Sequence, residues 1–312
     1  MALTYIGRRE MQSFMLHYLD EYSLIQKEIC ERIQFLLHSP GKLFHEHTRF
    51  CWGEFYTYIA KFHNHVQTEM VIPYAVAIEF LILATDLFDD IADEEKNNNV
   101  REHASMGEMI TIANTLFVEA IHLIALHTPR NLKREICRMM KELKEACNGQ
   151  WSDLHFTIDT SVPTEEQYFK LISQKSSSLT RLVCQLGAGS LAYKWYDIAT
   201  YIGISGQLRN DAKDILCDQK NDLTCKKATL PLIKALEYSL MHDNGWLLNK
   251  LNCPNFTDHI SLIRNYIQKT GALDYCFVLS DIYMKRAIKQ VEICFPTKQE
   301  AIYELKTYLE SS

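Results

Sequence analysis

Glycine and proline are scarce in this chain, 11 and 7 among 312 residues, about half of ordinary usage or less. So few breakers exclude a turn-rich β architecture and favour long helices. No two of the ten cysteines form a C-x-x-C pair, which excludes a zinc ribbon and argues against a redox dithiol. No signal-peptide pattern is seen at the start, so the cysteines are expected to be reduced thiols in a cytoplasmic protein. Positive charge is in deficit, 33 Lys and Arg against 39 Asp and Glu. A nucleic-acid partner needs a basic face, and none is expected. No uncharged run reaches the ~20 residues of a membrane span. Residues 71–88 come nearest, but Pro73, Glu79 and Asp86 interrupt them. A helix that is apolar all round and does not span lies in the middle of a bundle.

What is present is helical periodicity, nearly end to end. Hydrophobic residues make up 47% of the chain, enough for a sizeable core. The pattern predicts helices over residues 11–37, 56–65, 71–88, 106–126, 131–155, 196–220, 230–249, 260–270, 274–294 and 298–309. Another helix, running through Leu191, opens at Thr164-Glu165-Glu166-Gln167, which has the form of a capping box. There is no sustained strand-like alternation, no repeat and no low-complexity tract. The expected fold is all-α, one large helical bundle forming a single domain over residues 1–312.

Two acidic motifs carry the chemistry. The first is Asp86-Leu-Phe-Asp89-Asp90-Ile-Ala-Asp93-Glu94-Glu95. On a helix these carboxylates stack one turn apart on one face. They crowd the C-terminal end of the buried helix, where the helix dipole disfavours anions and like charges repel. A cation must answer them, and hard oxygen donors completed by water and substrate phosphates are what Mg²⁺ takes. Taken alone, such a motif reads more often as a solvated acidic helix end. The second motif, Gln207-Leu-Arg-Asn210-Asp211-Ala-Lys-Asp214, repeats the pattern, with Asp218 continuing its stripe. Asp222-Leu-Thr-Cys-Lys226-Lys227-Ala-Thr-Leu-Pro231 follows. Two acidic stripes on separate helices can face each other and share metal ions, and nearby lysines can take diphosphate oxygens.

With these motifs the chain resembles the trans-isoprenyl diphosphate synthases, over roughly residues 70–236. Asp89, Asp90 and Asp93 match that family's first aspartate-rich motif. Gln207, Asn210, Asp211 and Asp214 match the second, with Asn210 replacing its first Asp. Lys227 takes the place of a diphosphate-binding lysine, and Lys226 stands where glycine is usual. Gly149-Gln150-Trp-Ser-Asp153-Leu matches the family's G-Q-x-x-D-L. Residues 166–187 resemble the segment whose lysine, here Lys175, touches the diphosphate. The resemblance implies an isoprenoid-synthase bundle with a central cavity. Asp89, Asp90, Asp93, Asn210, Asp211 and Asp214 would hold Mg²⁺, and Lys175, Lys227, Gln207, Gln150 and Asp86 would line the substrate site. It also implies a homodimer.

The departures concern the second substrate of chain elongation, isopentenyl diphosphate. The family's G-G-K-R-x-R-P motif is here Pro40-Gly41-Lys42-Leu43-Phe44-His45-Glu46, which keeps Lys42 and loses the arginines. Its R-R-G is Lys96-Asn97-Asn98-Asn99, with Arg101 the nearest candidate, and the expected helix histidine is Ile82. An allylic site without a homoallylic one resembles the ComQ-type pheromone isoprenyltransferases of bacilli. That resemblance implies transfer of a geranyl or farnesyl group to a tryptophan of a small quorum-sensing peptide, in pheromone maturation and competence. In it the indole C3 attacks the allylic cation, and the ring closes on the peptide nitrogen. The alternatives are a chain-elongating polyprenyl diphosphate synthase and a class I terpene cyclase. Gly206, where synthases often carry Phe, either makes room for an indole or packs a helix. Ala84 and Thr85 are small, which favours farnesyl over geranyl. The four tryptophans read as packing, His45, His47, His63 and His65 lack a further zinc ligand, and the tail from Lys298 is an amphipathic helix open to a membrane or partner contact.

Overall fold

The structure is a computed structural model, which describes residues 7–63, 68–92, 104–128, 132–158, 161–217 and 221–311. Among the described residues there are fourteen α-helices and no strand. The chain forms two compact units, each assembled from separated stretches. One comprises Met1–Glu142, Arg181–Tyr196 and Gln290–Ser312; the other comprises Leu143–Thr180 and Asp197–Lys289.

The first unit is organised on α4 (Thr68–Ala92), the apolar helix foreseen from the sequence. Helices α1 (Arg8–His17), α3 (Trp52–Lys61) and α5 (Met106–His127) pack on it. From Val71 to Ala84 every α4 residue but Ile72 is buried. Each large apolar side chain so buried contributes roughly 1.5–3 kcal/mol. Both α4 and α5 have the length and hydropathy of a membrane span, and 78% of the α4 window is buried, the position of a core helix. Gly53 explains how closely α3 approaches α4: a Cβ there would stand 3.0 Å from the Ala75 carbonyl and 2.9 Å from Met11 Sδ. The N-terminus of α3 lacks a side-chain cap of its own. Glu79 of α4 supplies one, accepting from Gly53 N at 2.6 Å and Cys51 Sγ at 2.9 Å. Burial holds the Glu79 carboxyl above its ordinary range, against those two donors. Helix α14 (Gln299–Ser311) turns its apolar face inward, burying Ile302, Leu305, Tyr308 and Leu309. Tyr308 Oη accepts from Cys51 N and donates to Cys51 O, both at 2.7 Å.

The long helix expected over residues 11–37 is broken. After α1 comes a π-helical turn, Tyr18–Tyr22, and α2 (Lys27–Leu37) starts afresh. Leu24, fully exposed at φ 52°, makes the break. Trp195 confirms its expected packing role: it is fully buried and donates from Nε1 to His63 Nε2 at 3.0 Å.

The second unit packs α7 (Glu165–Gln174), α9 (Tyr196–Leu216), α10 (Leu230–His242), α11 (Trp246–Leu251), α12 (Ile260–Lys269) and most of α13 (Ala272–Cys294) around one core. The capping box at Thr164 forms as read: Gln167 N donates to Thr164 Oγ1 and Thr164 N to Gln167 Oε1. The helix expected over residues 230–249 divides: α10 ends at His242, and Asn244 at φ 51° and Gly245 at φ 72° turn the chain into α11. Helix α6 (Leu132–Asp153) precedes this unit's polar centre, and α8 (Ser176–Ala188) follows α7 after one residue, Lys175.

Candidate active site

The first acidic motif occupies the last two turns of α4, in the first unit. Asp86, Asp89 and Asp90 are each half-buried there. Asp93, the remaining ligand candidate of this motif, lies outside the described residues, as do Lys96-Asn97-Asn98-Asn99 and Arg101. Asp86 is bound to Lys42 by a short ion pair. Burial alone would lower the lysine's pKa, but Asp86, then Asp90 and Glu79, reverse this and hold it above the ordinary lysine value. The one cation kept from the isopentenyl motif is therefore spent on the acidic helix end.

The second motif lies on α9, in the second unit. Positions 207, 211 and 214 share a stripe at helical spacing. Asp211 is 4% exposed. Tyr168 Oη donates to its Oδ2 at 2.7 Å, and Gln207 Nε2 to its Oδ1 at 2.6 Å. Ser176 Oγ in turn donates to Gln207 Oε1. Burial pushes the Asp211 carboxyl up to about 7, with Asp222 and Asp153 adding to the rise and the Tyr168 and Gln207 donors opposing it. Asp214 is half-buried and Asn210 exposed; Asp218 lies outside the described residues.

The two lysines expected from the sequence to meet a diphosphate, Lys175 and Lys227, come together in the same unit. Lys175 Nζ lies 2.6 Å from Asp153 Oδ2, and Lys227 Nζ lies 3.6 Å from the same oxygen. Lys226 adopts φ 50°, which gives a physical reason for glycine at this position. Its ammonium stacks over the Phe256 ring at 4.9 Å. Gln150 is half-buried on α6, three residues before Asp153. Gly206 is exposed, and a Cβ there would meet nothing within 4 Å. No neighbour in the structure therefore requires a glycine there.

The donor set is chemically suited to Mg²⁺. Every candidate ligand offers oxygen, and Asp211 is a buried carboxyl whose ionised form receives two hydrogen bonds that do not offset its burial. Among the described residues no three Asp, Glu, His or Cys side chains converge tightly enough to hold an ion on their own. Tyr168 and Ser176 carry no sequence signal of their own, and Asp153 is visible only as part of G-Q-x-x-D-L. Tyr168 looks like any apolar-face residue of α7, and periodicity does not name its partner.

The polyprenyl synthetase family matches this chain over residues 26–267. Tryptophan prenyltransferase ComQ of Bacillus spizizenii is 31% identical over 192 residues, covering 59% of this chain and 66% of that protein. The short chain isoprenyl diphosphate synthase of Methanocaldococcus jannaschii is 26% identical over 247 residues, covering 70% and 73%. The bifunctional sesterterpene synthase astC of Talaromyces wortmannii is 29% identical over 243 residues, but this chain spans only 31% of its length. In structure, heptaprenyl diphosphate synthase from Staphylococcus aureus superposes with TM-score 0.81 at 19% identity, over 99% of this chain and 98% of that one. The all-α expectation is borne out.

Proposed function

Since the chain belongs to the polyprenyl synthetase family and is a prenyltransferase, we propose that it ionises farnesyl or geranyl diphosphate with Mg²⁺ and passes the prenyl group to a tryptophan of a small pheromone precursor peptide. The observation that carries this reading is the contrast between its lysines. Lys175 and Lys227 converge on one carboxylate in the second unit, where an allylic diphosphate needs them. Lys42, left over from the isopentenyl motif, is engaged by Asp86. A relative that prenylates tryptophan, by its name, supports the same choice.

Mg²⁺, with Asp89, Asp90, Asp93, Asn210, Asp211 and Asp214 as its protein ligands, supplies neutralisation of the leaving diphosphate when bound. The chain's own groups do the rest. Lys175 and Lys227 donate to diphosphate oxygens through charge-assisted hydrogen bonds. Gln207 and Tyr168 hold Asp211 in place. The allylic C1–O bond breaks with its electron pair leaving on the diphosphate. Indole C3 attacks C1, the peptide nitrogen closes on C2, and that nitrogen gives up its proton. The absence of a side chain at Gly206, next to Gln207, would leave room there for the indole, and the bound tail would have to keep water from the cation. The reading takes residues 1–312 as one cytoplasmic isoprenoid-synthase domain acting in quorum sensing and competence. It also takes the chain as a homodimer, supported by the outer face of α5, where Ile110, Val118 and Leu126 are exposed, with Asn114 and His122 between them.

The test is mass spectrometry of a tryptophan-bearing peptide incubated with farnesyl diphosphate and Mg²⁺, alongside gas chromatography of the headspace. A gain of one prenyl unit, lost when the tryptophan becomes alanine, is expected. Abundant cyclic terpene without peptide would favour the cyclase reading instead. The short chain isoprenyl diphosphate synthase relative favours chain elongation as the second reading.

A further inference from the structure

Three separate stretches of chain meet at Asp153. Its carboxylate ends α6, Lys175 stands at the joint between α7 and α8, and Lys227 follows the turn after Asp222. Both ammoniums address the same oxygen, Oδ2, and all three side chains are 15–20% exposed. Two like charges so close and so little hydrated repel unless an anion lies between them.

The backbone ties on either side of Asp153 make this a built arrangement. One turn before it, Gly149 presses α6 against the Lys175 joint: a Cβ there would stand 2.4 Å from Lys175 N and 2.6 Å from Lys175 Cα. Just after it, the chain pairs with the Lys227 segment. Ile158 N donates to Lys226 O at 3.0 Å, and Ala228 N to Phe156 O at 2.8 Å, around a bridge between Thr157 and Lys227. Each lysine's backbone is thus fixed to the chain on one side of Asp153, and the carboxylate collects both heads.

We propose that Asp153 is a positioning residue that holds Lys175 and Lys227 together in the resting protein and yields both to the diphosphate of the allylic substrate. The inference rests on the reading of those lysines as diphosphate-binding. It gives Asp153 two opposed effects. Its negative charge competes with the diphosphate for the lysines, and its grip keeps both ammoniums where the leaving group develops charge.

The test uses the full chain and the variants Asp153→Asn and Asp153→Glu. Calorimetry gives the Kd for inorganic diphosphate in the presence of Mg²⁺, and diphosphate release from farnesyl diphosphate gives kcat. Asp153→Asn is expected to bind inorganic diphosphate at least as tightly as the unsubstituted protein while kcat falls tenfold or more. Asp153→Glu, which restores a carboxylate, should recover part of kcat. A purely structural loss would weaken binding and turnover together and lower the melting temperature, and that result overturns the proposal. Turnover of Asp153→Asn within twofold of the unsubstituted protein overturns it too. If the unsubstituted protein itself fails to bind inorganic diphosphate with Mg²⁺, the diphosphate reading of Lys175 and Lys227 falls first and takes this inference with it.

Discussion

Asp211→Asn should stabilise the metal-free protein at pH 8 while abolishing its activity. The folded structure raises the Asp211 carboxyl from 3.8 to about 7, chiefly by burial. An acid whose pKa is raised by folding binds more protons folded than unfolded between those two values. Its contribution to stability is fully present below pH 3.8 and is lost as the pH rises to about 7. Some three pKa units at ~1.4 kcal/mol each put that loss at about 4 kcal/mol. Asparagine carries no charge, so it escapes the loss. It cannot accept from both Tyr168 and Gln207 as the carboxylate does, which costs about 1 kcal/mol. A net gain of roughly 3 kcal/mol is therefore expected at pH 8, shrinking to nothing or reversing by pH 4. Urea denaturation with EDTA present, at pH 4, 6 and 8, measures it for both proteins. An Asp211→Asn protein less stable than the parent by the same amount at every pH would refute the reasoning.

Two further outcomes follow from the same geometry. Lys226→Gly should leave stability nearly unchanged, since relief at φ 50° offsets the lost stacking on Phe256; Lys226→Val should cost ~1–2 kcal/mol more, because a β-branched residue fits that backbone badly, and urea midpoints separate the two. Given an allylic diphosphate together with isopentenyl diphosphate, the protein should make no longer chain, because Lys42 is held by Asp86; efficient elongation, seen by sizing extracted products, would return it to the ordinary synthases.

The sequence disclosed the helices wherever burial followed a regular period. Residues 71–88 show this best: an apolar stretch around Glu79 and Asp86 reads as a core helix, and α4 is one. Breaks without a glycine or proline were hidden. Nothing in Tyr22-Ser23-Leu24 announces a positive φ, so residues 11–37 read as one helix. Gly245, by contrast, is a visible breaker, but the apolar period continues on both sides of it. In the site, the motifs named the ligand and lysine candidates, because ligands on one helix share a local spacing. Partners from distant segments share none. Tyr168 with Asp211, and Asp86 with Lys42, are long-range pairs that periodicity on either element does not reveal.

The central claim is that carboxylates on α4 and α9 hold Mg²⁺ and thereby allow an allylic diphosphate to ionise. It is tested most directly by measuring diphosphate release from farnesyl diphosphate, with the tryptophan peptide present, in Mg²⁺ and in EDTA. The unsubstituted protein should turn over in Mg²⁺ and stop in EDTA, and Asp89→Ala, still folded by circular dichroism, should lose orders of magnitude in rate. Full activity in EDTA, or in Asp89→Ala, would contradict the account.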